Sequence, residues 1–290
     1  KTVNSFTLPE ERNVFSRVME MHQRNNAANG KIVNYLSDTF RYPTEFGTLL
    51  YASQLLQAEA MRYGVEHLRR NRGRCMGAII WQLNDCWPVA SWSCIDYYGR
   101  RKALYYEAKR QFAPVILATD TMHGNRLPIS LVTDYCFTQN ARLELTLRDF
   151  SGNVLDVQIV DSLLVKENNS CQIANYDWPS TLDSTLKTST YLQMRLWSYD
   201  SWLLAEKCYF FAYPGQLNLK SDEITIKKVD KNILEISCPT LQYGVELSAD
   251  QEVTFDDNYF VLEPGETKAV SFTTKSAETN IRFSVRSFGR

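Results

Sequence analysis

The sequence is short of the residues that metal, thiol and nucleophile chemistry require. Its three histidines, His22, His67 and His123, are far apart and carry no zinc spacing. Seven cysteines, Cys75, Cys86, Cys94, Cys136, Cys171, Cys208 and Cys238, form no CxxC pair. Their odd number argues against a full disulfide framework, and free, mostly buried thiols in a reducing compartment are the expectation. No glycine-rich phosphate loop and no Ser/His/Asp order appears, so no cofactor and no metal is implied. No apolar run approaches the roughly 20 residues that cross a bilayer, which excludes a spanning helix. A net charge of −1 with interspersed signs gives no reason to expect nucleic acid or an anionic membrane as partner. The start, Lys1-Thr2-Val3-Asn4, has neither an initiating Met nor a signal-peptide pattern, so a cut or processed chain is expected. The sequon Asn168-Asn169-Ser170 keeps a secreted or lysosomal origin open beside the cytoplasmic one that the thiols favour.

What is present is enough for buried cores: 44% of the 290 residues are hydrophobic and 12% aromatic. That length suits two or three domains. Before Pro114 apolar residues recur at helical spacing. Val14, Phe15, Val18 and Met19 form one stripe; Leu49, Leu50, Ser53, Leu56 and Ala60 a second; Leu104, Ala108 and Phe112 a third. Between the last two lies a short apolar run, Met76–Trp81, bounded by Asn71–Arg74 and Asn84-Asp85. Helix, short apolar strand, helix is the pattern at the end of an α/β barrel. After Pro114 the period becomes two, as in Leu143/Leu145/Leu147, Leu192/Met194/Leu196, Ile224/Ile226 and Ile281/Phe283/Val285. Turn signals at Ser151-Gly152-Asn153 and Pro264-Gly265 punctuate these runs. The pattern predicts two antiparallel sandwiches with a seam near Tyr213-Pro214-Gly215.

The densest chemistry lies in Trp81-Gln82-Leu83-Asn84-Asp85-Cys86-Trp87-Pro88 and continues to Ser91-Trp92-Ser93. Tryptophans beside an Asn-Asp pair suit a sugar, whose C–H faces pack on indole while its hydroxyls need fixed polar partners. Rim packing by Trp87 and Trp92, with Asp85 capping a turn, explains the same residues and stays open at this point. Thr44-Glu45-Phe46-Gly47 has the look of a glycosidase nucleophile, but a Glu opening a helix explains it without chemistry. Trp178, Trp197 and Trp202 fall in the sandwich region and read as core.

Taken together, these segments resemble the β-mannosidases of glycoside hydrolase family 2. The specific part runs from Gln57 to Pro114 and includes Trp81-Gln82-Leu83-Asn84-Asp85, Trp87-Pro88, Ser91-Trp92-Ser93 and Ile95-Asp96-Tyr97. Asp256–Phe260 and Leu262–Glu266 resemble the family's final sandwich. The resemblance implies an α+β multidomain chain. On that resemblance residues 1–114 are expected to be the C-terminal part of a catalytic (β/α)8 TIM barrel, with its last strand at about 75–83 and last helix at about 102–112. Immunoglobulin-like β-sandwiches follow at 115–215 and 216–290. It implies a retaining exo-enzyme that releases terminal β-D-mannose from oligosaccharides or glycans by double displacement. Both catalytic Glu residues of that family lie upstream of Lys1, so the chain alone is expected to be inactive, and residues 1–113 to be poorly ordered without the rest of the barrel. Trp81 is carried over as a wall of the sugar subsite, and Asn84, Asp85 and Trp87 as rim or positioning residues. Another family 2 glycosidase (a β-galactosidase, β-glucuronidase or exo-glucosaminidase) and a non-catalytic glycan- or protein-binding sandwich are the alternatives.

Overall fold

The computed structural model describes residues 1–25, 27–275 and 280–289; residues 276–279 and the final Arg290 of the expected last sandwich lie outside that range. Helices come first: α1 (Arg17–Met21), α2 (Ala28–Thr39), α3 (Phe46–Arg70) and α4 (Ala103–Gln111). Each of the two strand-rich parts then folds into a pair of antiparallel sheets. In the first, β1 (Val115–Thr119), β2 (Arg126–Thr133) and β5 (Ser170–Asp177) form one sheet. It faces β4 (Val154–Val165), β3 (Gln139–Asp149), β6 (Thr190–Ser198) and β7 (Leu203–Phe210), in that order. In the second, β12 (Phe260–Leu262), β10 (Gln242–Ala249) and β14 (Phe283–Phe288) face β11 (Val253–Phe255), β13 (Thr267–Thr274), β9 (Ile233–Ser237) and β8 (Thr225–Asp230). The fold is α+β, a helical part followed by two immunoglobulin-like β-sandwiches.

Period-two patterning is what makes these sheets, because alternate side chains of a strand leave on opposite faces. Leu143, Leu145, Leu147, Leu192, Met194 and Leu196 all reach the first core. Ile224 is in the second core, with Ile226, Ile281, Phe283 and Val285 packed against it. The predicted turns are formed, with Gly152 at φ 90° and Gly265 at φ 72°, conformations that glycine alone adopts without strain. Gly215 lies against the end of α2, where a Cβ would come within 2.8 Å of the Phe40 carbonyl carbon.

Helical patterning is read with less accuracy. Of the expected stripe on α3 only Leu49 is fully buried and Ala60 is exposed; the buried face is Tyr51, Ala52, Leu55, Ala58 and Val65. This rotation follows from the partner. Tyr51 and Leu55 share a core with Tyr243 and Phe288 of the second sandwich. α2 and the first half of α3 therefore bury a core against the second sandwich.

The strand expected at 75–83 is not formed: Met76–Ile80 has no ladder partner, and Ile79 is 94% exposed. A parallel strand exists only between neighbours that complete its hydrogen bonds, and the described residues supply none beside this run. The helix expected at 102–112 is present as α4.

Candidate active-site rim

The segment from Trp81 onward is held by its own second half. Cys94 N–H donates to the Gln82 carbonyl and Ile95 N–H to that of Leu83, both at 2.9 Å, and Asp85 N–H returns to the Ile95 carbonyl at 3.1 Å. The two runs meet as an isolated parallel bridge between Asn84 and Ile95. Beneath them lies Asp85, only 4% exposed. Its carboxylate accepts from both Ser91 Oγ and Ser93 Oγ, the latter at 2.7 Å. Lys102 Nζ stands 3.5 Å away and also donates to the Ser91 carbonyl at 3.2 Å. Burial pulls the Lys102 ammonium below the ordinary lysine range although Asp85 opposes it. A buried charge of this kind persists only when paired and hydrogen-bonded. Asp85 is thus the internal anchor of the rim, and its side chain does not face solvent.

Asn84 is exposed, and its side-chain amide donates to the Asp85 carbonyl at 3.3 Å. Trp87 is taken up by a stack. His22 lies between Phe6, with ring centroids 3.9 Å apart and planes 3° from parallel, and Trp87 at 4.7 Å. The Arg24 guanidinium is 5.3 Å from the Trp87 centroid. His22 also places Nδ1 2.7 Å from the Pro88 carbonyl, and its own carbonyl accepts from Ala90 N–H at 3.2 Å. The C-cap residue of α1 therefore clamps the whole run 87–90.

Trp81 differs from all of these. It is 71% exposed, follows exposed Ile79, precedes exposed Leu83, and its peptide bond to Gln82 is cis. Of the four residues that sequence reasoning singled out, Trp81 and Asn84 present side chains to solvent, while Asp85 and Trp87 build the platform below. Sequence reasoning passed over Lys102 and the full role of His22. The Ser-x-Ser spacing opposite Asp85 was a signal for a buried acid; nothing local marked Lys102 as its partner. Glu45, the discounted nucleophile look-alike, sits exposed at the N-cap of α3. Among the described residues no group of acids, cysteines and histidines is arranged to hold a metal. All seven cysteines are free, but only Cys94 and Cys238 are fully buried, fewer than expected.

A family profile described as a mannosidase Ig/CBM-like domain matches residues 125–214, and one described as an Ig-fold domain of mannosidases matches residues 216–289. A protein named beta-mannosidase B from Thermothelomyces thermophilus is 28% identical over 92% of this chain. The solved β-D-mannosidase of Dictyoglomus thermophilum superposes with a TM-score of 0.84 over 99% of this chain at 25% identity, and the match takes up 36% of that structure. The chain belongs to the β-mannosidase group of glycoside hydrolase family 2. It spans about a third of the length of the curated relatives it matches, 34% in the Thermothelomyces case. An exo-chitosanase from Amycolatopsis orientalis also superposes, with a TM-score of 0.77 over 99% of this chain and 40% of its own, but at 15% identity that likeness is of fold alone. Within this β-mannosidase-group chain, residues 57–114 carry the second half of α3, the rim and α4, the run on which the sequence resemblance is most specific.

Proposed function

We propose that this chain is part of a retaining exo-β-mannosidase that removes terminal β-D-mannose from oligosaccharides or glycans. In this reading residues 1–114 complete a catalytic barrel whose other strands cover Met76–Ile80. The immunoglobulin-like domains at 115–215 and 216–290 buttress it. The acid/base and nucleophile carboxylates come from other parts of the longer protein, and the chemistry is double displacement through a glycosyl-enzyme.

The observation that carries the reading is Trp81, 71% exposed and followed by Gln82 and Leu83, whose carbonyls accept from Cys94 and Ile95. An indole left uncovered beside a hydrogen-bonded turn is suited to the C–H face of a pyranose. Asn84 at the same rim offers an amide to a hydroxyl. Asp85, Lys102, His22 and Trp87 act as positioning residues that keep the Trp81 loop in place. The names of the relatives supply the sugar, since rim geometry does not by itself distinguish mannose from galactose.

The test is initial-rate hydrolysis by the full-length gene product of p-nitrophenyl β-mannoside, β-galactoside, β-glucuronide and β-glucosaminide. The reading expects the mannoside to be preferred by at least a hundredfold in kcat/KM. Preference for any of the other three overturns the substrate, and no hydrolysis of any overturns the enzyme.

A further inference from the structure

Trp202, expected to be core, is 73% exposed at the tip of the β6–β7 hairpin, and Tyr199 beside it is 57% exposed. The tip reads Ser198-Tyr199-Asp200-Ser201-Trp202. It is rigidly built. Ser198 N–H donates to the Trp202 carbonyl at 2.9 Å, Ser201 N–H to the Ser198 carbonyl at 3.0 Å, and Trp202 N–H to Ser198 Oγ at 3.1 Å. None of these bonds uses the side chains of Tyr199, Asp200 or Trp202. Ser201 has φ 62°, where glycine or asparagine is the usual choice. The turn is thus not composed for its own stability, and its bulkiest side chains face water.

Behind the tip the outer face of the sheet continues the theme. Half-buried Trp197 stands across the ladder from Leu203 on one side and Arg142 on the other. Its indole N–H donates to Glu144 at 3.0 Å, and the other carboxylate oxygen of Glu144 pairs with Arg142. This ion pair separates the aromatics from the apolar row of Val157 and Ile159 on β4. The ion pair therefore bounds a small apolar cluster, Tyr199, Trp202 and the 42% exposed Leu203, and keeps it from merging with β4 into the large patch that a protein partner buries. Nor does the surface offer the unpaired cations that a phosphate backbone needs. Its charge complement is a neutral, hydroxyl-rich chain. The rings of Tyr199 and Trp202 are of the kind that pack on pyranose faces, and Asp200, Ser201 and the Arg142–Glu144 pair supply polar groups of the kind that bond hydroxyls at a ring edge.

We propose that the β6–β7 tip, Tyr199 to Trp202, is a glycan-binding surface for a neutral oligosaccharide chain, separate from the Trp81 rim. The choice of mannan as a probe rests on the proposed function; the site itself does not. Native electrophoresis of the 290-residue chain through gels containing soluble galactomannan, or hydroxyethylcellulose, tests it. The expected result is retardation by at least one polysaccharide. It falls at least tenfold in apparent affinity in the Tyr199→Ala/Trp202→Ala variant and persists in Trp81→Ala. Retardation by hydroxyethylcellulose alone supports the surface while counting against the mannoside reading. Free migration in both gels overturns the proposal. So does equal retardation of the double variant, or loss of retardation in Trp81→Ala only. A dimer seen by sedimentation velocity and dissociated by the double substitution also overturns it, because the tip is then a contact between copies.

Discussion

Removing the Asp85 carboxylate leaves the mostly buried Lys102 ammonium with the Ser91 carbonyl and strips two serine hydroxyls of their acceptor. Breaking a buried pair from one side costs on the order of 3–5 kcal/mol, whereas replacing both partners with apolar groups is often close to neutral. Asp85→Ala is therefore expected to lower the thermal midpoint sharply, and Asp85→Leu combined with Lys102→Met to restore most of it. Thermal unfolding of the three proteins checks this, and equal loss in single and double variants contradicts it. His22 carries a second expectation at this scale. His22→Phe preserves the stack on Phe6 and Trp87 but loses the contact with the Pro88 carbonyl, while His22→Ala loses both. The alanine variant should show faster amide exchange along 87–90 than the phenylalanine one.

Among the elements, α3 does most to join the parts. At its start Tyr51 Oη donates to the Gly244 carbonyl at 2.6 Å, where β10 breaks register and Gly244 takes φ 66°. A Cβ on Gly244 would lie 2.8 Å from Leu55 Cδ1. Strain and overpacking coincide there, so Gly244→Ala is expected to destabilise by roughly 2–4 kcal/mol, read as a lowered denaturant midpoint. Further along α3, Glu66 is buried between Arg62, at 3.3 Å, and Lys207 of β7. Burial alone would raise this carboxyl, but Lys207 and Arg62 overcome it and hold Glu66 below its ordinary value of 4.5. A depressed carboxyl contributes its stabilisation fully above the unfolded value and loses it as pH falls through the folded one. The thermal midpoint should accordingly fall on acidification below about 4.5, and Glu66→Gln should flatten that fall while lowering the midpoint at neutral pH.

Elements also show where a sequence is legible. Strands such as β3 and β6 are plain in it because period two is local and both buried faces belong to the same sandwich. The buried stripe of α3 is harder to read, because Tyr51, Leu55 and Glu66 are buried by residues nearly 200 and 140 positions away, on β10 and β7. The rim shows the same division. Its tryptophans and Asn-Asp pair stand out in the chain, but only the fold reveals that Asp85 turns inward to Lys102 while Trp81 turns outward. Trp202 was misread for a related reason: hydrophobicity alone does not say which side of a hairpin tip a ring will take.

At the scale of the molecule, α4 ties the rim to the last sandwich. Arg110 pairs with Asp257 at 2.7 Å and donates to the Tyr259 carbonyl at 3.1 Å, and Arg101 donates to the Phe255 carbonyl at 3.1 Å. Buried Asn258 clips the same loop to Leu247: its Oδ1 accepts from Leu247 N–H at 2.7 Å and its Nδ2 donates to the Leu247 carbonyl at 3.0 Å. The Asp256–Phe260 run, conspicuous in the sequence, thus receives the helix that follows the rim. Arg110→Ala should loosen the last sandwich and the rim together, seen as a shared rise in amide exchange at β10–β12 and at 94–102.

The central claim is that this framework exists to hold Trp81 at a sugar-binding rim. The most direct measurement is the kcat/KM of the full-length gene product for a β-mannoside with Trp81 and with Trp81→Ala. A fall of about a hundredfold or more, on the order of 3 kcal/mol of transition-state binding, at an unchanged thermal midpoint is the predicted result. Activity within about twofold of the unsubstituted enzyme would contradict the account.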